Sequence, residues 1–168
     1  MKIKYRKLKL SDSERIRIWR NKQLSILRQN QIINKENQNV YFKKKILCKN
    51  DEIKLFAIDL DKTLIAYGGL VNISKSYGTA EISFLADNNF AHNTKFYEII
   101  FGNFLDFIKR YSFKKKYLRR LFTETYSFRK KNIKILEKNG FKLEGILKKH
   151  VIKNNRIYDS LIHGNLKK

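Results

Sequence analysis

Apolar and polar positions along the chain switch between two periods. Residues 2–10 approximate a period of two, with Ile3 and Tyr5 alternating with Lys4 and Arg6, which predicts a strand. Ser11-Asp12-Ser13-Glu14 reads as a helix entry, with Ser11 as N-cap and Glu14 three residues on in a capping box. Ile16, Ile18 and Trp19 supply the apolar face of that helix. A second helical stretch over about 34–47 has Asn34 as its cap and buries Val40, Tyr41, Ile46 and Leu47. Residues 54–60 and 63–72 are strand-like and flank the tight polar pair Asp61-Lys62, a hairpin signal. After a turn at Ser74-Lys75-Ser76, residues 77–86 form a third strand of this group. The clearest helix covers 94–111, where Tyr97, Ile100, Phe101, Phe104, Phe107, Ile108 and Tyr111 recur at three and four residues. A strand over 117–126 and a helix over 128–139 follow, with Ile133 and Leu136 inward and Gly140 placed for a left-handed C-terminal cap. The end reads as a hairpin, 142–152 and 156–164, turning at Asn154-Asn155, residues that tolerate the positive φ angles of a two-residue turn.

The element order is therefore β-α-α-β-β-β-α-β-α-β-β. It predicts an α+β or mixed α/β fold with a sheet of about seven strands and helices packed on it. At 168 residues, with no linker-like stretch and no internal repeat, the chain is expected to be a single domain, 1–168. Aromatic residues at 13% argue against wholesale disorder. One cysteine excludes a disulfide scaffold or a cysteine-rich zinc site. No apolar run reaches the roughly 18 residues of a membrane span, and the N-terminus has no signal-peptide pattern, so the expected location is the cytoplasm.

Charge changes the picture more. Lys plus Arg number 38 against 15 Asp plus Glu, a formal charge of +23. Such a balance suits nucleic acid through counterion release. The stretch Lys109 to Arg120, with seven cations, no acids and interleaved aromatics, is the best local candidate. Yet the lysines are spread along the chain, and its 28 Lys, 21 Ile and 16 Asn look like AT-rich coding. Nucleic-acid binding is thus the second reading, and a non-catalytic protein is the third. Phosphate loops, dinucleotide fingerprints and zinc-protease motifs are absent. His92, His150 and His163 have no ligand spacing, so no metal is expected.

The segment from Glu124 to Gly145, closest from Ile133 onward with Glu137-Lys138-Asn139-Gly140-Phe141, resembles the strand-helix-strand of GCN5-related N-acetyltransferases (GNAT). Asn155-Arg156-Ile157-Tyr158-Asp159 resembles the last hairpin of that family's ribosomal-protein and amino-sugar branches. Trp19-Arg20-Asn21 with Ile26-Leu27-Arg28 is similar to the opening of acetyltransferases acting on nucleotide-linked amino sugars, and Ala80-Glu81-Ile82 to the strand before the phosphate loop. Together these cover nearly the whole chain.

The resemblance implies a GNAT-like seven-stranded mixed sheet with helices on both faces and acetyl-CoA as co-substrate, bound where two neighbouring strands splay apart. Ser83, Phe84 and Leu85 would offer backbone to the pantetheine arm. The next helix start, with Thr94 and Lys95, would hold the pyrophosphate, because orphan amides and the helix dipole favour anions. The family's glycine loop is missing. Asp87 to Tyr97 stands in its place, and a gapless count from Arg119-Arg120-Leu121 reaches only Gly102 as a candidate glycine. Arg129, Lys130 and Lys131 open the last helix, with Asn132 beside them; cations there oppose the dipole, so a phosphate partner or a solvated face accounts for them. Where the family frequently has a catalytic tyrosine stands Leu136, which cannot protonate a thiolate. Tyr126 is the alternative acid, or else a core tyrosine.

The implied reaction is direct transfer in a ternary complex to a primary amine, best an amino-sugar nucleotide, with a protein N-terminus or a small amine as alternative. Amines of this kind are mostly protonated at neutral pH, so a base is needed. Glu81 is the candidate, or else a strand carboxylate paired with a cation. Backbone amides near Phe84-Leu85 would form the oxyanion hole. Trp19 and Arg20 would face the acceptor, Arg20 as a bidentate phosphate partner, if they are not simply core and surface. The sequence gives no oligomeric state.

Overall fold

A computed structural model describes residues 2–91 and 94–168. Its strands are β1 (Ile3–Lys7), β2 (Lys54–Leu60), β3 (Thr63–Ser74), β4 (Thr79–Ala86), β5 (Arg120–Tyr126), β6 (Lys142–Lys153) and β7 (Arg156–Leu166). Its α-helices are α1 (Ser13–Lys22), α2 (Lys35–Tyr41), α3 (Asn88–Ala91), α4 (Thr94–Phe113) and α5 (Lys130–Lys138). The seven strands form one mixed sheet in the order β1-β2-β3-β4-β5-β7-β6, the architecture expected from the sequence. The chain makes two compact units: residues 1–72 with 83–97, and residues 73–82 with 98–168.

In the first unit, β1 and β2 pair antiparallel from Ile3↔Leu60 to Lys7↔Phe56, and β2 turns into β3 at Asp61-Lys62. Both turn residues have positive φ, 46° and 73°, the geometry a two-residue hairpin needs. Ile16, Trp19, Phe42, Ala57 and Tyr67 form the centre of its core. Arg6 joins three segments there. Its guanidinium donates to Asp12 at 2.7 and 2.9 Å and to Asp59 at 2.7 and 3.2 Å. Burial alone would push the Asp12 carboxyl up; the Arg6 bonds and the Lys9 amide outweigh it and hold the carboxyl below its ordinary range.

That network corrects the expected helix entry. Asp12, not Ser11, organises the turn: its carboxylate accepts from the Lys9 amide at 2.8 Å, Leu10–Asp12 form a 3-10 turn, and α1 starts at Ser13. Ser11 is exposed and Ile18 is 39% exposed, so neither the cap nor that part of the apolar face holds. Helix α2 keeps its Asn34 cap, whose side chain accepts from Asn37 N at 2.8 Å. It continues as a π turn, Phe42–Ile46, closed by Leu47 N donating to Phe42 O. The wider turn shifts the helical phase. Gln38 and Phe42 are buried, while Val40, Tyr41 and Leu47, expected inside, are 43%, 44% and 43% exposed.

The second unit is built on the long helix and the C-terminal hairpin. Ile100, Phe104, Leu105 and Ile108 of α4 are fully buried, as the heptad-like spacing requires, and the helix runs on to Phe113. Gly140 takes φ 82° after α5, and Phe141 N reaches back to Leu136 O at 3.0 Å, a Schellman closure. Asn154 and Asn155 have φ 50° and 58° in the last hairpin, which is longer than expected at 142–153 and 156–166.

Strands β4 and β5 both begin later than their apolar runs. Gly78 holds φ +66°, and its carbonyl accepts from Arg119 N at 2.8 Å and Arg120 N at 3.1 Å. A Cβ at Gly78 would lie 2.6 Å from the Tyr117 carbonyl oxygen. The parallel β4–β5 ladder then has three partners, Thr79↔Arg120, Ala80↔Leu121 and Glu81↔Phe122. On its other side β5 pairs with β7 for its full length, to Tyr126↔Ser160.

His163 on β7 is fully buried, and neither ring nitrogen makes a hydrogen bond among the described residues; Glu137 Oε1 stands 4.0 Å from Nε2. Burial pushes this imidazole below its ordinary value, against a weaker pull from Glu137 and Glu144. It is therefore neutral in the fold, and the unfolded chain binds the extra proton below about pH 6.5. Stability should fall as pH drops through that value, and His163→Leu should remove that part of the slope between about pH 6.5 and 5. Urea unfolding across the range tests this; equal slopes in both proteins would refute it. Gly78→Ala should cost at least about 1–2 kcal/mol from its left-handed φ alone, and more from the Tyr117 contact, read from the same unfolding curves.

Candidate active site

Within the first unit, α1, the α2–π segment, β2, β3 and β4 enclose a cavity of about 380 Å³. Its walls are largely apolar, with Arg20, Asn37, Gln38, Tyr41, Tyr67 and Ser83 as polar members and no aspartate or glutamate. Arg20 comes from the last turn of α1. Its Nε donates to Gln29 Oε1 at 2.9 Å and its Nη1 to the Tyr67 hydroxyl at 2.9 Å. The loop carrying Gln29 is strapped to the helix. Asn21 exchanges bonds of 2.9 Å with the Ile33 backbone in both directions, and Arg17 donates to Ile33 O at 3.1 Å. Burial works against the charge on Arg20, while the oxygens of Tyr67 and Tyr41 favour it and prevail. Trp19, one position earlier, faces the core at 3% exposure. Of the expected acceptor pair, only Arg20 lines the cavity.

The end of β4 is fixed from the same helix. Gln23 Nε2 donates to Ala86 O and to Asn88 Oδ1, both at 2.9 Å. Asp87 then opens α3, its carbonyl accepting from Phe90 N and Ala91 N. Leu85 is buried in the core cluster, and Phe84 meets Tyr97 edge-on at 6.0 Å. Ser83 lines the cavity. His92 and Asn93, in the segment standing in for a glycine loop, lie outside the described residues, as does the Thr94 side chain. Lys95 is exposed in the first turn of α4, which contains no acid.

In the second unit, Glu81 is 7% exposed at the last partner of the β4–β5 ladder. Tyr126, 6% exposed, ends β5, with its ring 5.8 Å from Phe128 and 6.0 Å from Lys153 Nζ. Arg129 is the N-cap residue of α5, with Lys130, Lys131 and Asn132 in the first turn and no acid there. Burial pushes the Lys131 ammonium down, partly offset by Glu98. Leu136 is buried at 1%, a packing residue. Gly102 is corrected: it sits well inside α4, where an added Cβ would meet the Asn139 amide at 3.7 Å, and the structure does not bring it to a helix start.

The basic stretch from Lys109 to Arg120 is partly used up within this unit. Lys109 donates to Asn139 O at 2.9 Å and pairs with Asp106 at 3.0 Å. Arg119 donates to Tyr77 O, Arg120 pairs with Glu144, and Lys115 lies over the Tyr111 ring. Sequence reasoning missed Tyr67, Tyr41 and Gln29. Tyr67 stood in a predicted strand, but nothing local marked its partner.

Residues 5–162 match the family model described as acetyltransferase (GNAT) domain. No curated protein matches the chain by sequence. Among solved structures, a spermidine N-acetyltransferase from Vibrio cholerae in complex with CoA and spermine aligns with a TM-score of 0.84 at 21% identity, covering 98% of this chain and 95% of that one. A chimera of the Vibrio cholerae spermidine N-acetyltransferase SpeG and hSSAT aligns with a TM-score of 0.83 at 22% identity over 99% and 96%. A dodecameric structure of the Vibrio cholerae enzyme in an intermediate state gives 0.78 at 21% over 98% and 93%. At these identities the likeness is one of fold. The neighbours are spermidine enzymes, so the narrower assignment to the ribosomal-protein and amino-sugar branches finds no support.

Proposed function

The chain belongs to the GNAT acetyltransferase family, and we propose that it moves acetyl from acetyl-CoA to a small primary amine. The observation that carries this reading is a buried carboxylate, Glu81, at the last described partner of the parallel β4–β5 ladder, Glu81↔Phe122. Acetyl-CoA supplies the activated acetyl group; the residues of this chain hold it and manage the proton.

Two helix starts fit its phosphates, because neither first turn contains an acid and both contain cations. Lys95 serves the α4 start, and Arg129, Lys130 and Lys131, with Asn132, the α5 start. No glycine loop is needed for this, since the orphan amides of a helix start are themselves anion donors. The backbone of Ser83, Phe84 and Leu85 lines up with the pantetheine arm, and amides near Phe84-Leu85 meet the oxygen that gains negative charge.

Glu81 takes the proton of the incoming amine, directly or through water. Leu136 offers no proton to the departing thiolate, so Tyr126 or solvent supplies it. Acetyl transfer to an amino-sugar nucleotide, suggested by the sequence resemblance, is one member of the small-amine class, as is transfer to a polyamine.

Thiol release from acetyl-CoA with a panel of primary amines tests the reaction. Glu81→Gln should lower turnover by about 10²–10⁴ and flatten its rise with pH, with acetyl-CoA affinity little changed. An unaltered pH profile removes Glu81 as the base. Arg129→Glu should weaken acetyl-CoA binding by about tenfold at low salt, less at high salt, by calorimetric titration. Equal affinity at both salts assigns Arg129 to solvent.

A further inference from the structure

Three arginines of the first unit, Arg6, Arg17 and Arg20, are partly buried, and one differs from the others. Arg6 has two carboxylates on its guanidinium, Asp12 and Asp59, and Arg17 has Glu14. Arg20 has none: its bonds go to an amide oxygen and a hydroxyl, both neutral. A guanidinium carries five N–H donors, and Nη2 of Arg20 donates to nothing among the described residues. A cation removed from water needs an opposite charge close by, or it costs stability. Among the described residues, none that lines the cavity beside Arg20 provides one.

Gln29 and Tyr67 hold the guanidinium from two sides. A group held in place by neutral acceptors, with donors left over, is preorganised for an anion that arrives from outside. The other polar members of the wall, Asn37, Gln38, Tyr41 and Ser83, add further donor groups around the cavity. The formal charge of +23 acts in the same direction, drawing anions in and keeping polycations out.

We propose that the acceptor carries an oxyanion, a carboxylate or a phosphate, at the end away from its reacting amine, and that Arg20 is the residue that selects it. This rests on the cavity being the acceptor site. It separates the chain from the spermidine enzymes whose fold it shares: a polyamine brings further positive charge to a wall with no carboxylate to receive it.

The test is calorimetric binding of four probes to the full chain saturated with CoA, so that cofactor phosphates do not compete: 2-aminoethyl phosphate, 4-aminobutyrate, butylamine and spermidine. At least one of the two anionic amines should bind about tenfold or more tighter than butylamine, with spermidine weakest. The tighter of the two anions identifies phosphate or carboxylate. Arg20→Gln should erase the preference, and Arg20→Lys should keep part of it, since charge remains without the planar fork. Butylamine or spermidine binding as tightly as both anions would overturn the proposal, as would a preference that survives in Arg20→Gln. If that variant fails to fold, judged by its CoA affinity, the ranking in the unaltered protein decides alone. Binding is read without turnover. A chain that sorts amines by charge but acetylates none defeats the small-amine reading and leaves this one standing; one that acetylates all four alike does the reverse.

Discussion

The carbonyl of Gly78 receives two amides, from Arg119 and Arg120, and this clasp sets the register of the parallel β4–β5 pair. Parallel strands cannot be joined by a tight turn, so something other than a hairpin must fix where they start. Here a left-handed glycine does so, brought so close to Tyr117 that no side chain fits. With the start fixed, the described pairs run from Thr79↔Arg120 to Glu81↔Phe122, and on its other side β5 pairs with β7 along its length. Glu81 is buried at the last of these partners.

Charge is organised by a contrast between neutralised and unneutralised groups. Most lysines are exposed and serve hydration. The informative cations are few: Arg6 is neutralised by two aspartates and holds β1, β2 and the α1 entry together, while Arg20 is oriented by neutral groups. Cations at the starts of α4 and α5 have no helical purpose, since the dipole prefers acids there. A large net charge therefore says little by itself; the surroundings of single guanidinium and ammonium groups say more.

Much of the fold was legible because its signals are local. The 94–111 periodicity, the Asp61-Lys62 and Asn154-Asn155 turns and the Gly140 cap depend on residues within a few positions, and all appear in the structure. The failures were long-range. Ser11 has the right chemistry for a cap, but Arg6 draws Asp12 into that role through Asp59, some fifty residues on. The π turn after α2 has no sequence code, and beyond it Leu47, expected inside, is exposed. Gly102 was a candidate only because glycine is expected near phosphates; it lies inside α4, where a Cβ would make only ordinary contact with Asn139. At the site, Arg20 was legible as a residue type, but its company of Tyr67 and Gln29 was not. Trp19, beside it in sequence, points a hundred degrees around the helix into the core, as successive helical residues must.

The strand order places β7 between β5 and β6, although β7 is the latest of the seven in the chain. The inner position is thus filled last in sequence. The two-residue Asn154-Asn155 turn lets β6 and β7 zip together on their own, a local event on the microsecond scale of hairpins. Joining β7 to β5 must then close a loop that contains α5. The β6–β7 hairpin accordingly docks as one preassembled piece, and the kinetic barrier of this half of the molecule lies in docking rather than in forming the hairpin. Loss of the final ten or so residues would remove not an edge but the seam between two neighbours, leaving β5 and β6 with no shared partner.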